Sequence, residues 1–236
     1  MGTALQAKNL TAGDFGGPDL EGCNENLNLT RPEVIQEILE SYLDAGADIV
    51  ETNTFGATPL VLGEYDLSNR AVEINIRAAQ IARAAADKYS TSARPRFVAG
   101  SMGPTTKAMS VIGGITFDEL TDHYEVQAQA LLEGGVDYLL LETCQDTRNV
   151  KAALCAIDRV FAKSRKEIPV AVSATIEAMG TMLAGQSVEA LAAALGHRKL
   201  LYLGLNCATG PAFMTDHLRS LAAQAPFRVS CVPNAG

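Results

Sequence analysis

Cys207 stands in LGLNCATGP, residues 203–211, where a short apolar run gives way to a Gly-Pro helix start. A parallel strand that ends in a polar nucleophile or ligand, followed at once by a helix N-terminus, is how βα enzymes set reactive groups at the carboxyl face of a sheet. Free cysteine also packs as a small hydrophobe, so a buried, inert thiol is the competing reading. The neighbours favour chemistry. Gly204, Asn206, Thr209, Gly210 and Pro211 surround the sulfur with backbone-permissive and hydrogen-bonding residues for which a purely packed strand has no use. Of the other cysteines, Cys155 and Cys231 read as core thiols. Cys23, in GCNENLNLT, reads either way, and Cys144 follows Glu142 and Thr143 at the end of another apolar run. His123, His197 and His217 fall on helical or loop segments away from strand ends and read as surface or capping residues. No catalytic triad, P-loop or GxGxxG fingerprint is present; SMGPTTK holds glycine and lysine without the P-loop spacing.

The elements that must position these residues are legible as six apolar runs, at 47–55, 96–104, 137–146, 168–176, 201–207 and 228–236, with helical segments between them. Strands alternating with amphipathic helices imply right-handed βαβ crossovers and a parallel sheet, doubly wound or closed into a barrel. Thr30-Arg31-Pro32-Glu33 and Thr116-Phe117-Asp118-Glu119 both read as capping boxes, and the helices they open stop at Gly46 and at Gly134-Gly135. AGADIVETN and GGVDYLLLETC each put a Glu-Thr pair at a strand end, and repetition of one βα unit favours the barrel. In a barrel, Glu51, Thr52, Asn53 and Ser101 should meet Glu142, Thr143 and Cys144 at one carboxyl mouth. Ser173, Thr175, Asn206, Cys207 and Asn234 should join them. Period-two alternation puts Leu140, Glu142 and Cys144 on one face, Leu203, Leu205 and Cys207 on one face, and Val232 with Asn234 opposite Cys231.

With 236 residues and 47% apolar content the chain can bury a large core, and the length fits one α/β domain. No run is long enough to cross a membrane, and MGTALQAKNLTAGD lacks the basic start and apolar stretch of a secretory signal, which argues for the cytoplasm. Five cysteines without framework spacing read as reduced thiols. The 27 acidic against 19 basic residues leave no basic stripe for nucleic acid.

At these residues the chain resembles the homocysteine S-methyltransferase family, most closely the homocysteine-binding module of the cobalamin-dependent methionine synthases. The motifs that carry the resemblance are MGT with Leu5-Gln6, then NLNLTRPEVI, ETNTFGA, GSMGPTTK, GITFDEL, GLNCATGP and PNAG, in family order over nearly the whole chain. The resemblance implies a (β/α)8 TIM barrel spanning residues 1–236, incomplete at both ends because the first and eighth strands are missing. It implies methyl transfer to the zinc-activated thiol of homocysteine, giving methionine, with methylcobalamin held by another module and methyltetrahydrofolate as the ultimate donor. The partners implied are homocysteine and the cobalamin and methyltetrahydrofolate modules of a parent chain. It assigns Cys207 as a zinc ligand, Glu142 to the substrate ammonium, and Gly2 and Thr3 to a loop facing its carboxylate. Asn234 is the weak occupant of the open zinc position or, equally, a turn residue. The family's adjacent pair of zinc cysteines has no counterpart in these residues, and neither Cys144 nor Cys231 matches a family ligand. A betaine- or S-methylmethionine-dependent methyltransferase is the neighbouring alternative, although few aromatics stand at strand ends to enclose a cation. An inactive binding module is the non-enzymatic one.

Overall fold

The computed structural model describes residues 1–234; the last two residues of PNAG, Ala235 and Gly236, lie outside the described residues. Helices and strands alternate as α1 (Pro32–Asp44), β1 (Ile49–Glu51), α2 (Ala71–Tyr89), β2 (Phe97–Met102), α3 (Phe117–Gly134) and β3 (Tyr138–Cys144). They continue as α4 (Thr147–Ser164), β4 (Val170–Ala174), α5 (Val188–Leu195), β5 (Tyr202–Asn206), α6 (Pro211–Gln224) and β6 (Arg228–Val232). All six apolar runs form strands, each inside its expected range. The hydrogen-bonded order is β1-β2-β3-β4-β5-β6, the sequential order that repeated right-handed βα units generate in a (β/α)8 barrel. Six such strands lie among the described residues, and none precedes β1.

The chain divides into two compact units, Met1–Met102 with Val126–Leu139, and Gly103–Glu125 with Leu140–Gly236. In the first, β1 and β2 pair in parallel with Val50 opposite Val98 and Glu51 opposite Ala99. Helix α2 buries a run of small side chains, Ala78, Ala82 and Ala85, and packs against α1, which buries Ile35, Ile38 and Leu39. Cys23 is buried in a satellite cluster with Ala57, Leu62, Leu67 and Ile74, so the ambiguous thiol is a core residue. Burial pushes it up to about 11. Two motif asparagines serve the loops: Asn28 Nδ2 donates to the Asn53 carbonyl at 2.8 Å, and Asn53 Nδ2 to the Asn24 carbonyl at 2.7 Å.

In the second unit β4, β5 and β6 pair in parallel, with Ser173 opposite Gly204 and Asn206 opposite Val232. Both faces of β5 are covered: Leu203 and Leu205 on one face and Gly204 and Asn206 on the other are buried, as is usual for strands of a parallel sheet. Each such leucine contributes about 1.5–3 kcal/mol. Gly204 is required by close approach, since a Cβ there would stand 2.9 Å from the Ser230 carbonyl oxygen. Strand β6 is different. Cys231, expected in the core, is exposed, and Val232, on the opposite face of this last strand in the order, is 61% exposed.

The helix signals divide. Before α3 the box forms: Thr116 N–H donates to Glu119 Oε2 at 2.8 Å and Glu119 N–H to Thr116 Oγ1 at 3.3 Å. Before α1 it does not. Thr30 closes a preceding helical turn, Leu27–Thr30, and its hydroxyl donates to the Asn26 carbonyl, so Arg31 occupies the N-cap and pairs with Asp14 and Glu33. Both helices stop as expected, with Gly46 at φ +105° and Gly135 at φ +90°, conformations that a side chain would strain. No helix among the described residues is long and apolar enough to cross a membrane.

Candidate active site

Strands β3 and β5 end in the same unusual way. Thr143 has φ +55°, and Cys207 and Ala208 both have φ +56°, a left-handed conformation that is uncommon for residues other than glycine and costly for a β-branched one. The reversal at Cys207 cancels the alternation that would have sent Asn206 and Cys207 to opposite faces. Asn206 Nδ2 instead donates to Cys207 Sγ at 3.2 Å. The same amide donates to Thr143 Oγ1 at 2.8 Å and accepts the Thr143 N–H at 3.0 Å and the Ser173 hydroxyl at 2.7 Å. Thr143 Oγ1 also lies 3.9 Å from Cys207 Sγ.

Around this knot the backbone fixes the thiol at a strand-to-helix junction, as its sequence position implied. Cys207 N–H donates to the Val232 carbonyl at 3.1 Å, extending the β5–β6 ladder by one residue, and Thr209 N–H turns back to the Cys207 carbonyl at 2.6 Å. Pro211 then opens α6 behind Gly210. Cys207 is half-buried. Asn234, exposed, donates its N–H to the Thr209 carbonyl at 3.2 Å. Glu142, half-buried, is the residue before Thr143. Thus Glu142, Thr143, Ser173, Asn206, Cys207 and Asn234 stand at strand ends of the second unit, and Thr143, Ser173, Asn206 and Cys207 are directly linked.

Cys144 does not join them. Thr143's left-handed turn breaks the alternation on which its facing was inferred, and the thiol is buried; burial first, and the Glu142 carboxylate second, push it far above the ordinary thiol range. Cys155 is half-buried on α4. Gly2 and Thr3 begin a one-turn helix, Gly2–Gln6, in place of the expected loop, and are exposed in the first unit. Glu51, Thr52, Asn53 and Ser101 also belong to the first unit, where Thr52 Oγ1 accepts the Ser101 N–H at 3.0 Å. Of the histidines, His197 is exposed, His123 half-buried, and His217 packs its ring 5.4 Å from that of Phe213.

Two residues that the sequence reading passed over hold the long loop after β2. Asp146 Oδ2 accepts the Ser110 N–H at 2.8 Å while Oδ1 caps α4 through Arg148 N–H at 2.8 Å; Asn149 Oδ1 accepts the Met109 N–H at 3.1 Å. The signal for Asp146 was its N-cap position before Thr147-Arg148.

Among the described residues no group of three His, Cys, Asp or Glu side chains gathers closely enough to hold a metal ion. Catalytic zinc takes three protein ligands, so Cys207 with the Asn234 amide does not by itself fit that metal.

Parallel strands in sequential order, with a hydrogen-bonded thiol where a strand turns into a helix, define a βα-barrel fold of the kind that carries its reactive groups at the carboxyl ends of its strands. The family profile for homocysteine S-methyltransferase matches residues 1–236, and the chain belongs to that family. It is 45% identical over 236 residues to methionine synthase of Mycobacterium tuberculosis and 46% identical to methionine synthase of Mycobacterium leprae. All of the chain is covered but only 20% and 19% of those relatives, so it spans about a fifth of their length. Among solved structures, the metallated form of the Escherichia coli homocysteine methyltransferase MmuM superposes with a TM-score of 0.82 at 22% identity. That match covers 100% of this chain and 82% of MmuM. The oxidized form gives 0.81 at 22% identity, covering 100% and 80%. These matches share the fold.

Proposed function

We propose that the chain is the homocysteine-binding module of an enzyme that methylates the homocysteine sulfur to give methionine. In the proposed reaction the substrate S–H proton is lost, a sulfur lone pair forms the S–CH3 bond, and the donor departs with the electrons of the bond it loses. Methylcobalamin, carried by another module, is the proposed immediate donor, and methyltetrahydrofolate the ultimate one. The observation that carries the reading is Cys207, held by Asn206 beside Thr143, one residue from a half-buried carboxylate. A sulfur site after β5 and an acid on β3, with β4 between them, suit an amino acid whose side chain ends in a thiol.

In this reading Glu142 accepts hydrogen bonds from the substrate ammonium, a charge-assisted contact. Gly2 and Thr3 are assigned to its carboxylate on family resemblance. Cys207 is assigned as one thiolate ligand of a zinc ion and Asn234 as a weak occupant of the open position; the further ligands have to come from outside the described residues. Zinc, when bound, favours the thiolate form of a coordinated thiol. The five free thiols and the proposed chemistry suit a reducing cytoplasm.

The test is methyl transfer from methylcobalamin to homocysteine, with metal analysis, on the protein including any sequence its gene encodes beyond residue 236. Methionine formation that Cys207→Ala abolishes, together with the zinc content, supports the reading. Unchanged zinc and activity in that variant overturn it; a protein that binds homocysteine but transfers no methyl group is a binding module.

A further inference from the structure

Asn206 touches both strand ends that carry the proposed site, and the direction of its amide is fixed by chemistry. The Thr143 backbone N–H can only donate, so the group 3.0 Å from it must be the Asn206 oxygen. The Ser173 hydroxyl, 2.7 Å away, donates to the same oxygen. The nitrogen is then left to face Thr143 Oγ1 at 2.8 Å and Cys207 Sγ at 3.2 Å. All four bonds are made by a side chain only 5% exposed, so water does not readily replace any that is lost. The two ends it ties, Thr143 and Cys207, are the left-handed residues of β3 and β5, whose positions are set by whatever holds those turns.

We infer that Asn206 is a positioning residue that fixes the separation between the Cys207 sulfur and the Glu142 carboxylate, and thereby selects the length of the amino-acid thiol that the site accepts. The inference rests on the proposed reading of Cys207 and Glu142 as the sulfur and ammonium ends of the site. Homocysteine and cysteine carry the same end groups and differ by one methylene. If the two anchors are held rigidly, the shorter thiol cannot reach both; if they are loosened, the longer one loses its advantage.

The experiment measures kcat and KM for L-homocysteine and L-cysteine as methyl acceptors in wild type, Asn206→Ala, Asn206→Asp and Ser173→Ala, each on the protein with its full encoded sequence. One methylene is worth roughly 10–200-fold in selectivity. Wild type is expected to prefer homocysteine by about 100-fold or more in kcat/KM, and Asn206→Ala to lower that preference at least ~10-fold, chiefly through the KM for homocysteine. Ser173→Ala, which removes one of the four bonds, should lower it by ~3-fold. Asn206→Asp keeps both acceptor contacts but loses the donor that faces Thr143 Oγ1 and Cys207 Sγ, so it reports on those two contacts together and serves if the alanine variant fails to fold. Folded variants that lose activity with both acceptors in equal proportion would reduce Asn206 to a structural residue and overturn the inference. A wild type that methylates neither thiol would instead remove the homocysteine reading on which it stands.

Discussion

The pairs Glu51-Thr52 and Glu142-Thr143 occur at corresponding places in two repeats of one βα unit, yet they do different things. Thr52 is fully committed to structure: its hydroxyl accepts the Ser101 N–H and shares a 2.6 Å hydrogen bond with Thr54 Oγ1. Thr143 takes a left-handed turn and meets the Asn206 amide. Glu51 is exposed, and desolvation of its carboxyl raises it above the ordinary carboxylate value. Glu142 is half-buried next to the knot that holds Cys207. A repeated dipeptide thus marks where a strand ends, and the hydrogen bonds it meets there separate an end that supports the fold from the end assigned to the proposed site.

The sharpest way to break this contrast is to truncate one member on each side. Cys207→Ala should take methyl transfer below detection while leaving the circular-dichroism spectrum unchanged. Thr52→Ala should spare transfer and lower stability by about 1–3 kcal/mol, the cost of leaving a buried N–H without its acceptor. Transfer lost in Thr52→Ala at a temperature where it stays folded would erase the distinction.

The acids give the next largest effect. Glu142→Gln should raise KM for homocysteine by roughly 10–100-fold, equivalent to a charge-assisted hydrogen bond of about 1.5–3 kcal/mol. Glu51→Gln should change it less than ~3-fold, given a weak role in binding. Steady-state kinetics on both variants decides, and equal effects would mean that the two Glu-Thr pairs share one role.

The thiols sharpen the comparison further through pH. Cys23 is raised from its ordinary 9.0 to about 11 by burial, so the unfolded chain ionises first. The unfolded state then binds fewer protons than the native state, and stability falls as pH rises from about 9 to about 11. Denaturant titrations across that window should show a shallower fall for Cys23→Ala; an identical slope would show that the thiol is not protected by the fold.

The smallest expected effect is Thr116→Ala, which removes the box opening α3. It should cost about 1 kcal/mol in urea unfolding with no kinetic consequence. Thr30→Ala should cost less, because Thr30 caps nothing.

Those two threonines show how far the sequence carries. A Thr-x-x-Glu pattern is local, but at Thr30 a preceding helical turn competes for the same hydroxyl, and no pattern of spacing reveals such competition. The six strands and their order were legible because apolar runs and glycine stops are also local. Facing parity fails where the backbone turns left-handed, at Thr143 and Cys207, so alternation cannot be carried through to Cys144 and does not reveal the Asn206–Cys207 contact. Cys231 was read as core because cysteine usually is; its exposure follows from the edge position of β6, which composition does not record.

The central claim, that the ends of β3 and β5 hold the two ends of one amino-acid thiol, is tested most directly by a crystal structure of the protein soaked with selenohomocysteine. The selenium anomalous peak is expected beside Cys207 Sγ, with the ammonium in hydrogen-bond reach of the Glu142 carboxylate. A selenium peak elsewhere in the protein, or an ammonium bound away from Glu142, would contradict it.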